Sequence, residues 1–209
     1  LITGCLILGN ARRTIAQCVE SSLPFFDKLV VFDGSKDGTL DIIRRHVDRI
    51  IPQGDTPIDF ALFKNKCIEH IGEGFVWFIH SDEVIESQKE PLLVKDYIEQ
   101  GKFSAYFIPR FNKPDGVDYP DLQANIVQVG YHRFHRKLHE VLVPSPTVSL
   151  KGIMIKHLVK TIDELQDRDK RWLEIDPETQ KLHMQRGIII QRVRDEYKIA
   201  RGKDGLLDT

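Results

Sequence analysis

The sequence predicts an α/β fold: a mostly parallel sheet with helices on both faces, a small antiparallel addition, and C-terminal helices. Three observations predict it. Short apolar runs alternate with stretches of helical periodicity through the first 80 residues, in the order β-α-β-α-β-α-β. Each apolar run stops at glycine or polar residues, as buried strands do where they surface. After residue 86 the alternation gives way to clustered short strands and then to charged helical stretches.

The elements follow in order. Residues 2 to 8, ITGCLIL, are a buried strand ending at the turn Gly9-Asn10. Residues 11 to 22 place Ile15, Cys18 and Val19 at helical spacing, and Pro24 closes that helix. LVVFD, 29 to 33, is a second buried strand, ended by the turn GSKDG. Residues 39 to 47 read as a helix with Thr39 or Asp37 as N-cap. Arg49 to Pro52 is a third strand, and 59 to 71 an amphipathic helix stopped by Gly72 and Gly74. A fourth strand runs from Phe75 to Ile79 and breaks at His80, Ser81, Asp82 and Glu83. Beyond it the sequence predicts a helix over 88–100, a strand over 105–111, a polar loop over 112–121, short strands within 122–143 and a strand over 148–159. Residues 161–174 and about 178–200 read as helices.

Composition sets the class. With 209 residues, 41% apolar and 29% charged, the chain is long enough for one sizeable core. A formal charge of -1 leaves no polyanion footprint, so no nucleic-acid partner is expected. Cys5, Cys18 and Cys67 are scattered, with no CxxC pair; Cys5 and Cys67 sit in apolar runs and read as core thiols, and a reducing compartment fits. No apolar stretch reaches the ~20 residues of a membrane span. No signal peptide is expected, and a start at Leu1 inside an apolar run reads as a piece of a longer chain. A cytoplasmic location is expected, with association to a membrane surface through the basic C-terminal helix left open.

Parallel sheets bind ligands at the carboxyl ends of their strands. That rule brings Asn10, Asp33 and the cluster His80 to Glu83 to one rim. VVFDGSKDGT, 30 to 39, places Asp33 at a strand end, where it can accept a hydrogen bond from a base imide or a ribose hydroxyl. Neither GxGxxG nor GxxxxGK[ST] is present, so a dinucleotide fingerprint and a P-loop are excluded.

Four spaced motifs carry a more specific signal: the first strand ending in Gly9-Asn10, VVFDGSKDGT, DFALFKN at 59–65 and FVWFIHSDE at 75–83. This series resembles the family 2 glycosyltransferases of GT-A fold, and most closely the branch with motifs DxGSxDxT, DFxxxRN and WxxxxDADE. The resemblance is strong over residues 2 to 90 and thinner through YPDLQ, RKLHEVLV and IMIKHLV. It implies a Rossmann-like GT-A domain over 1–160, with a nucleotide-binding half, 1–100, and an acceptor half, 101–160, followed by a helical extension, 161–209. It implies transfer of a sugar from a nucleotide-diphosphate donor to a glycan, lipid-linked or protein acceptor.

The resemblance also assigns roles. Asp33 would meet the nucleotide base and Asn10 the loop around it. Lys64 stands where the family has Arg, and gives a point charge rather than a planar fork. Asp82 would match the last Asp of the metal-binding DxD, with His139 or His157 completing a Mn²⁺ or Mg²⁺ site. His80 replaces the first Asp of that motif, and imidazole shifts preference towards Mn²⁺. An inverting reaction needs a general base, for which Asp121 and Glu140 are candidates and Glu83 a weaker one. Glu140 could equally orient the ring of His139. A non-catalytic nucleotide-sugar or glycan-binding protein on the same scaffold is the alternative. A nucleotidyltransferase is disfavoured, because no Gly-rich basic loop follows the first strand.

Overall fold

The structure is a computed structural model. It describes residues 1–53, 59–112, 120–138, 140–145, 148–158, 170 and 172–177, with the backbone alone at 111–112 and 120–123. The chain forms two compact units, Leu1–Lys160 and Thr161–Thr209. In the second, the described part includes a short helical stretch over residues 172–175. The rest of the expected C-terminal helices lies outside the described residues.

The first unit is built on an eight-stranded sheet. Its strands are β1 (Ile2–Leu8), β2 (Lys28–Asp33), β3 (Arg49–Pro52), β4 (Phe75–His80), β5 (Glu83–Ser87), β6 (Ala105–Asn112), β7 (Pro120–Gln128) and β10 (Ile153–His157). The order across the sheet is β3-β2-β1-β4-β7-β6-β10-β5. β1 to β4 run parallel, with Leu8 beside Asp33 and Ile7 beside His80. β7 pairs antiparallel with both β4 and β6, and β5 antiparallel with β10. A separate hairpin joins β8 (Arg133–His135) to β9 (Val141–Val143).

Alternation along the strands makes two apolar layers. One face of the sheet buries Ile2, Leu6, Leu8, Val31, Trp77 and Ile79 against helices α1 (Ile15–Ser22), α2 (Thr39–Ile43) and α4 (Pro91–Glu99). The other buries Cys5, Val30, Phe32, Val76 and Phe78 against α3 (Phe60–Ile71) and the hairpin's Phe134 and Leu142. Each fully buried large side chain contributes about 1.5–3 kcal/mol. Trp77 is wedged between Phe25 and Phe26, with both ring centroids at 5.6 Å.

Local chemistry fixes the helix ends. In α1, Ile15, Cys18, Val19 and Ser22 share the buried stripe, and Pro24 turns the chain into a 3-10 segment. α3 starts at Asp59, whose Oδ1 accepts the Leu62 N–H at 2.8 Å. It ends at Gly72, which adopts φ 83° and returns its N–H to the Ile68 carbonyl. The helix expected over 39–47 is shorter than predicted, and its last turn, Arg44–His46, is 3-10. The N-cap position is taken by Gly38, in the left-handed region at φ 80° and without a side-chain cap, and not by Thr39 or Asp37; Asp37, one residue before it, accepts the Thr39 N–H at 3.0 Å.

One strand was not legible. β5 follows the polar turn directly, and its EVIES pattern carries only Val84 and Ile85 as apolar signal. The helix expected from residue 88 begins at Pro91 instead, a favoured first-turn position.

Candidate active site at the strand rim

Three loops meet at the carboxyl ends of β1, β2 and β4. The β1 and β2 loops are laced together. Gly34 N–H donates to the Leu8 carbonyl at 2.8 Å, and Lys36 N–H to Asn10 Oδ1 at 2.8 Å. Ala11 N–H donates to Thr39 Oγ1 at 3.0 Å. Asp33 Oδ1 accepts from the backbone N–H and the hydroxyl of Ser35, at 3.0 and 2.6 Å. The DGSKDGT segment is therefore a rigid loop seated on the turn after β1, with Asn10 as its buttress.

The β4–β5 turn, HSDE, is held from inside. Glu83 is only 1% exposed and faces three groups. Its Oε2 accepts the His80 N–H at 2.9 Å. Its Oε1 lies 3.4 Å from Arg110 Nη1 on β6 and 3.9 Å from His80 Nδ1. The Cys18 thiol donates to the His80 carbonyl at 3.2 Å. Burial, and then the charges of Glu83 and Asp82, push that thiol well above its ordinary range, so it is a structural donor and no nucleophile. Burial likewise raises the Cys5 thiol.

This turn delivers Asp82 to the end of β10. The Asp82 carbonyl accepts the Leu158 N–H at 2.7 Å, and its Oδ2 lies 3.3 Å from His157 Nε2. A carboxylate oxygen and an imidazole nitrogen thus converge at the rim, a donor pair suited to a divalent transition metal. Among the described residues no group of three or more His, Cys, Asp or Glu gathers to hold a metal ion by itself. Two protein ligands, completed by phosphate oxygens and water, still fit the way Mg²⁺-type sites are built around substrate phosphates. His139, the other histidine expected there, lies outside the described residues.

His80 borders the same space with a side chain 46% exposed. The Glu83 carboxylate pulls its pKa up, but desolvation and the cations Lys64 and Arg110 outweigh that pull and leave it below the usual histidine value. That direction favours the neutral imidazole, the form that offers a lone pair to a ligand.

Lys64 does not present its charge to solvent. Its Nζ lies 2.7 Å from Glu140 Oε1 and over the rings of Phe134 and Phe78, at 4.9 and 5.4 Å from their centroids. Burial pushes the Glu140 carboxyl up, but Lys64, by charge and hydrogen bond, more than offsets it, aided by a backbone N–H and by His80. Glu140 is held below the usual carboxylate range. Asp121 lies in β7, in register with Arg110, and of its side chain nothing is described.

Arg110 and Asn65 were assigned no role from sequence. An arginine inside the apolar strand AYFIPRF is itself a signal of a buried ion-pair partner.

This sheet order, with the parallel strands β3-β2-β1-β4 in one half and the mixed strands β7-β6-β10-β5 in the other, defines an α/β protein of GT-A architecture. Residues 8–157 match the family described as glycosyl transferase family 2, and the chain belongs to that family. The prophage-derived glycosyltransferase SunS of Bacillus subtilis (strain 168) is 27% identical over 143 residues, 66% of this chain and 34% of SunS. Glycosyltransferase SunS of Bacillus phage SPbeta matches equally. The chain thus spans about a third of the length of these relatives. The crystal structure of S. aureus TarS superposes with a TM-score of 0.54 and 15% identity, over 83% of this chain and 39% of TarS. At that identity the likeness is one of fold. No helix among the described residues is long and apolar enough to cross a membrane.

Proposed function

We propose that this chain transfers a sugar from a nucleotide-diphosphate donor to a glycan, lipid-linked or protein acceptor, with inversion and with a divalent cation, Mn²⁺ or Mg²⁺, at the rim. The observation that carries this reading is the approach of Asp82 and His157 at the carboxyl ends of the strands. Asp82 and His157, with His139 as a further candidate, would hold the ion. When bound, such an ion neutralises charge developing on the diphosphate leaving group.

The protein's own groups supply the rest. Asn10 and Asp33 hold the nucleoside side of the donor through the rigid loop. In an inverting transfer the acceptor oxygen bonds to the anomeric carbon as the carbon–diphosphate bond breaks, and a base takes the acceptor proton. Glu140 is ionised but weakly basic beside Lys64, which suits it to accept hydrogen bonds from sugar hydroxyls. That leaves Asp121 as the favoured base. Lys64, neutralised by Glu140, acts only by holding that carboxylate in place. The buried free thiols fit a reducing compartment such as the cytoplasm.

Calorimetry of UDP and GDP binding, with and without Mn²⁺, tests the reading alongside a hydrolysis screen of nucleotide sugars. Metal should tighten binding in the wild type and have no effect in Asp82→Ala, which should also lose turnover. Metal-independent affinity would remove the metal-assisted mechanism, and turnover retained by Asp82→Ala would overturn the site. Binding without turnover of any nucleotide sugar would favour a non-catalytic binding protein.

A further inference from the structure

The β8–β9 hairpin is not part of the main sheet. Two strands alone are marginal in water and need a surface to pack on. α3 provides that surface, and successive polar contacts along it hold the hairpin. At its start, the Phe60 N–H donates to the Lys137 carbonyl at 3.0 Å. One turn on, Lys64 pairs with Glu140 at 2.7 Å. Beside it, Asn65 makes a double contact with one residue of β8. The Phe134 N–H donates to Asn65 Oδ1 at 2.8 Å, and Asn65 Nδ2 donates to the Phe134 carbonyl at 2.9 Å. The amide side chain thus takes the place of a neighbouring strand, satisfying both backbone groups of a residue whose own ring is buried edge-on against Phe78 at 5.4 Å.

An amide offers a separate acceptor and donor atom, so it can make both contacts at once. Asp would accept from the Phe134 N–H but repel its carbonyl, and an apolar side chain would leave both groups without their partner. The contact fixes β8 in both position and direction. The segment that leaves β8 leads within five residues to Glu140, whose carboxylate is held 2.7 Å from Lys64 on the same helix as Asn65.

We propose that Asn65 is a positioning residue: it locks the β8–β9 hairpin to α3 and so sets where Glu140 stands at the acceptor side of the rim. This rests on the glycosyltransferase reading. Geometry of this kind is worth a great deal in rate, since misplacement by about 1 Å can cost about 10²-fold. The nucleotide-side groups sit at the carboxyl ends of β1, β2 and β4 and are held by hydrogen bonds within and between their own loops, none of which Asn65 makes, so the consequence should fall on turnover.

Hydrogen exchange and kinetics on Asn65→Ala and Asn65→Asp test this. In Asn65→Ala, the amides of β8 and β9 should lose protection while those of β1 and β4 keep theirs. UDP affinity in the presence of Mn²⁺ should be unchanged, and hydrolysis of UDP-glucose should fall by about 10²-fold. Asn65→Asp, which keeps the contact to the Phe134 N–H but sets a carboxylate oxygen against its carbonyl, should lose hairpin protection and turnover as well. A hairpin that stays protected in Asn65→Ala overturns the proposal. So does a loosened hairpin with unchanged turnover, or a loss of UDP binding that tracks the loss of turnover. A wild-type protein that turns over no UDP-glucose or other nucleotide sugar would sink the transferase reading instead, and the exchange pattern would then decide the clasp alone.

Discussion

Lys64 Nζ and Glu140 Oε1 are 2.7 Å apart, in a pair whose side chains are only 10% and 16% exposed. The pair ties α3 to the segment between β8 and β9, and two aromatic rings close over the ammonium. A buried pair is costly to break from one side, because the remaining charge stays desolvated. Lys64→Met should therefore destabilise by about 3 kcal/mol in urea unfolding. Lys64→Met combined with Glu140→Leu should recover most of that loss. Additive losses in the double variant would show that the two charges are not coupled.

The same pair gives a pH dependence with a defined sign. The folded Glu140 pKa is depressed, so its stabilisation is complete above the ordinary carboxylate pKa and is lost as pH falls through the lower, folded value. Wild type should lose stability relative to Glu140→Gln across that acid window, and the two should run parallel from pH 6 to 8. A constant difference down through the acid range would mean that Glu140 carries no depressed pKa.

Asp27 offers a control far from the rim. It sits just before β2, where its Oδ2 accepts the Ile2 N–H at 2.7 Å and its Oδ1 pairs with Lys95. Burial raises its pKa, but the hydrogen bonds and charge of Lys95 and the Ile2 N–H lower it further. Asp27→Asn should cost about 1–2 kcal/mol and flatten the acid limb of the stability curve. UDP affinity should not change, because the carboxyl ends of the strands are untouched. A fall in UDP affinity would show that the two ends of the sheet are coupled.

The parallel half of the fold was legible because burial writes itself into sequence as apolar runs. β1, β2, β3 and β4 lie where ITGCLIL, LVVFD, Arg49–Pro52 and the run from Phe75 predict them. The resemblance names Asp82 and either His139 or His157 as metal ligands, and His157 stands 3.3 Å from Asp82, while the metal role itself is a proposal. The roles of Lys64 and Glu140 were not legible as a pair. They lie 76 positions apart, and nothing local in DFALFKN or RKLHE says that one closes on the other. Glu83 reads from sequence as a weaker general-base candidate in HSDE, because no sequence pattern distinguishes a rim carboxylate from one buried under the turn, as Glu83 is. β5 was hidden because a short edge-directed strand beginning and ending in polar residues has no period to detect.

Gly4 is a position where a single methyl group should be felt. A Cβ built there would lie 2.2 Å from Phe26 Cδ2, and the Phe26 ring is held edge-on by Trp77. Gly4→Ala should cost about 1–3 kcal/mol through overpacking. The Trp77 near-ultraviolet signal should change with it. Wild-type stability in Gly4→Ala would mean that the ring moves aside freely and that the stack is loose.

His80 is the position at which this chain departs from a paired-carboxylate motif, and replacing it with Asp asks what the imidazole does. Its backbone N–H, which holds Glu83, would remain. The new carboxylate would stand near Glu83, which is 3.9 Å from the present ring nitrogen, and two residues before Asp82. Without metal, that repulsion should lower stability by roughly 0.5–1 kcal/mol, since the site is half open to solvent. With metal and UDP, the added hard oxygen ligand should favour Mg²⁺, so the melting temperature should rise more with Mg²⁺ in His80→Asp than in wild type. Wild type should show the larger rise with Mn²⁺, as an imidazole ligand prefers the softer ion. An identical response of both proteins to both metals would remove His80 from the neighbourhood of the ion and leave Asp82 and His157 to account for metal binding.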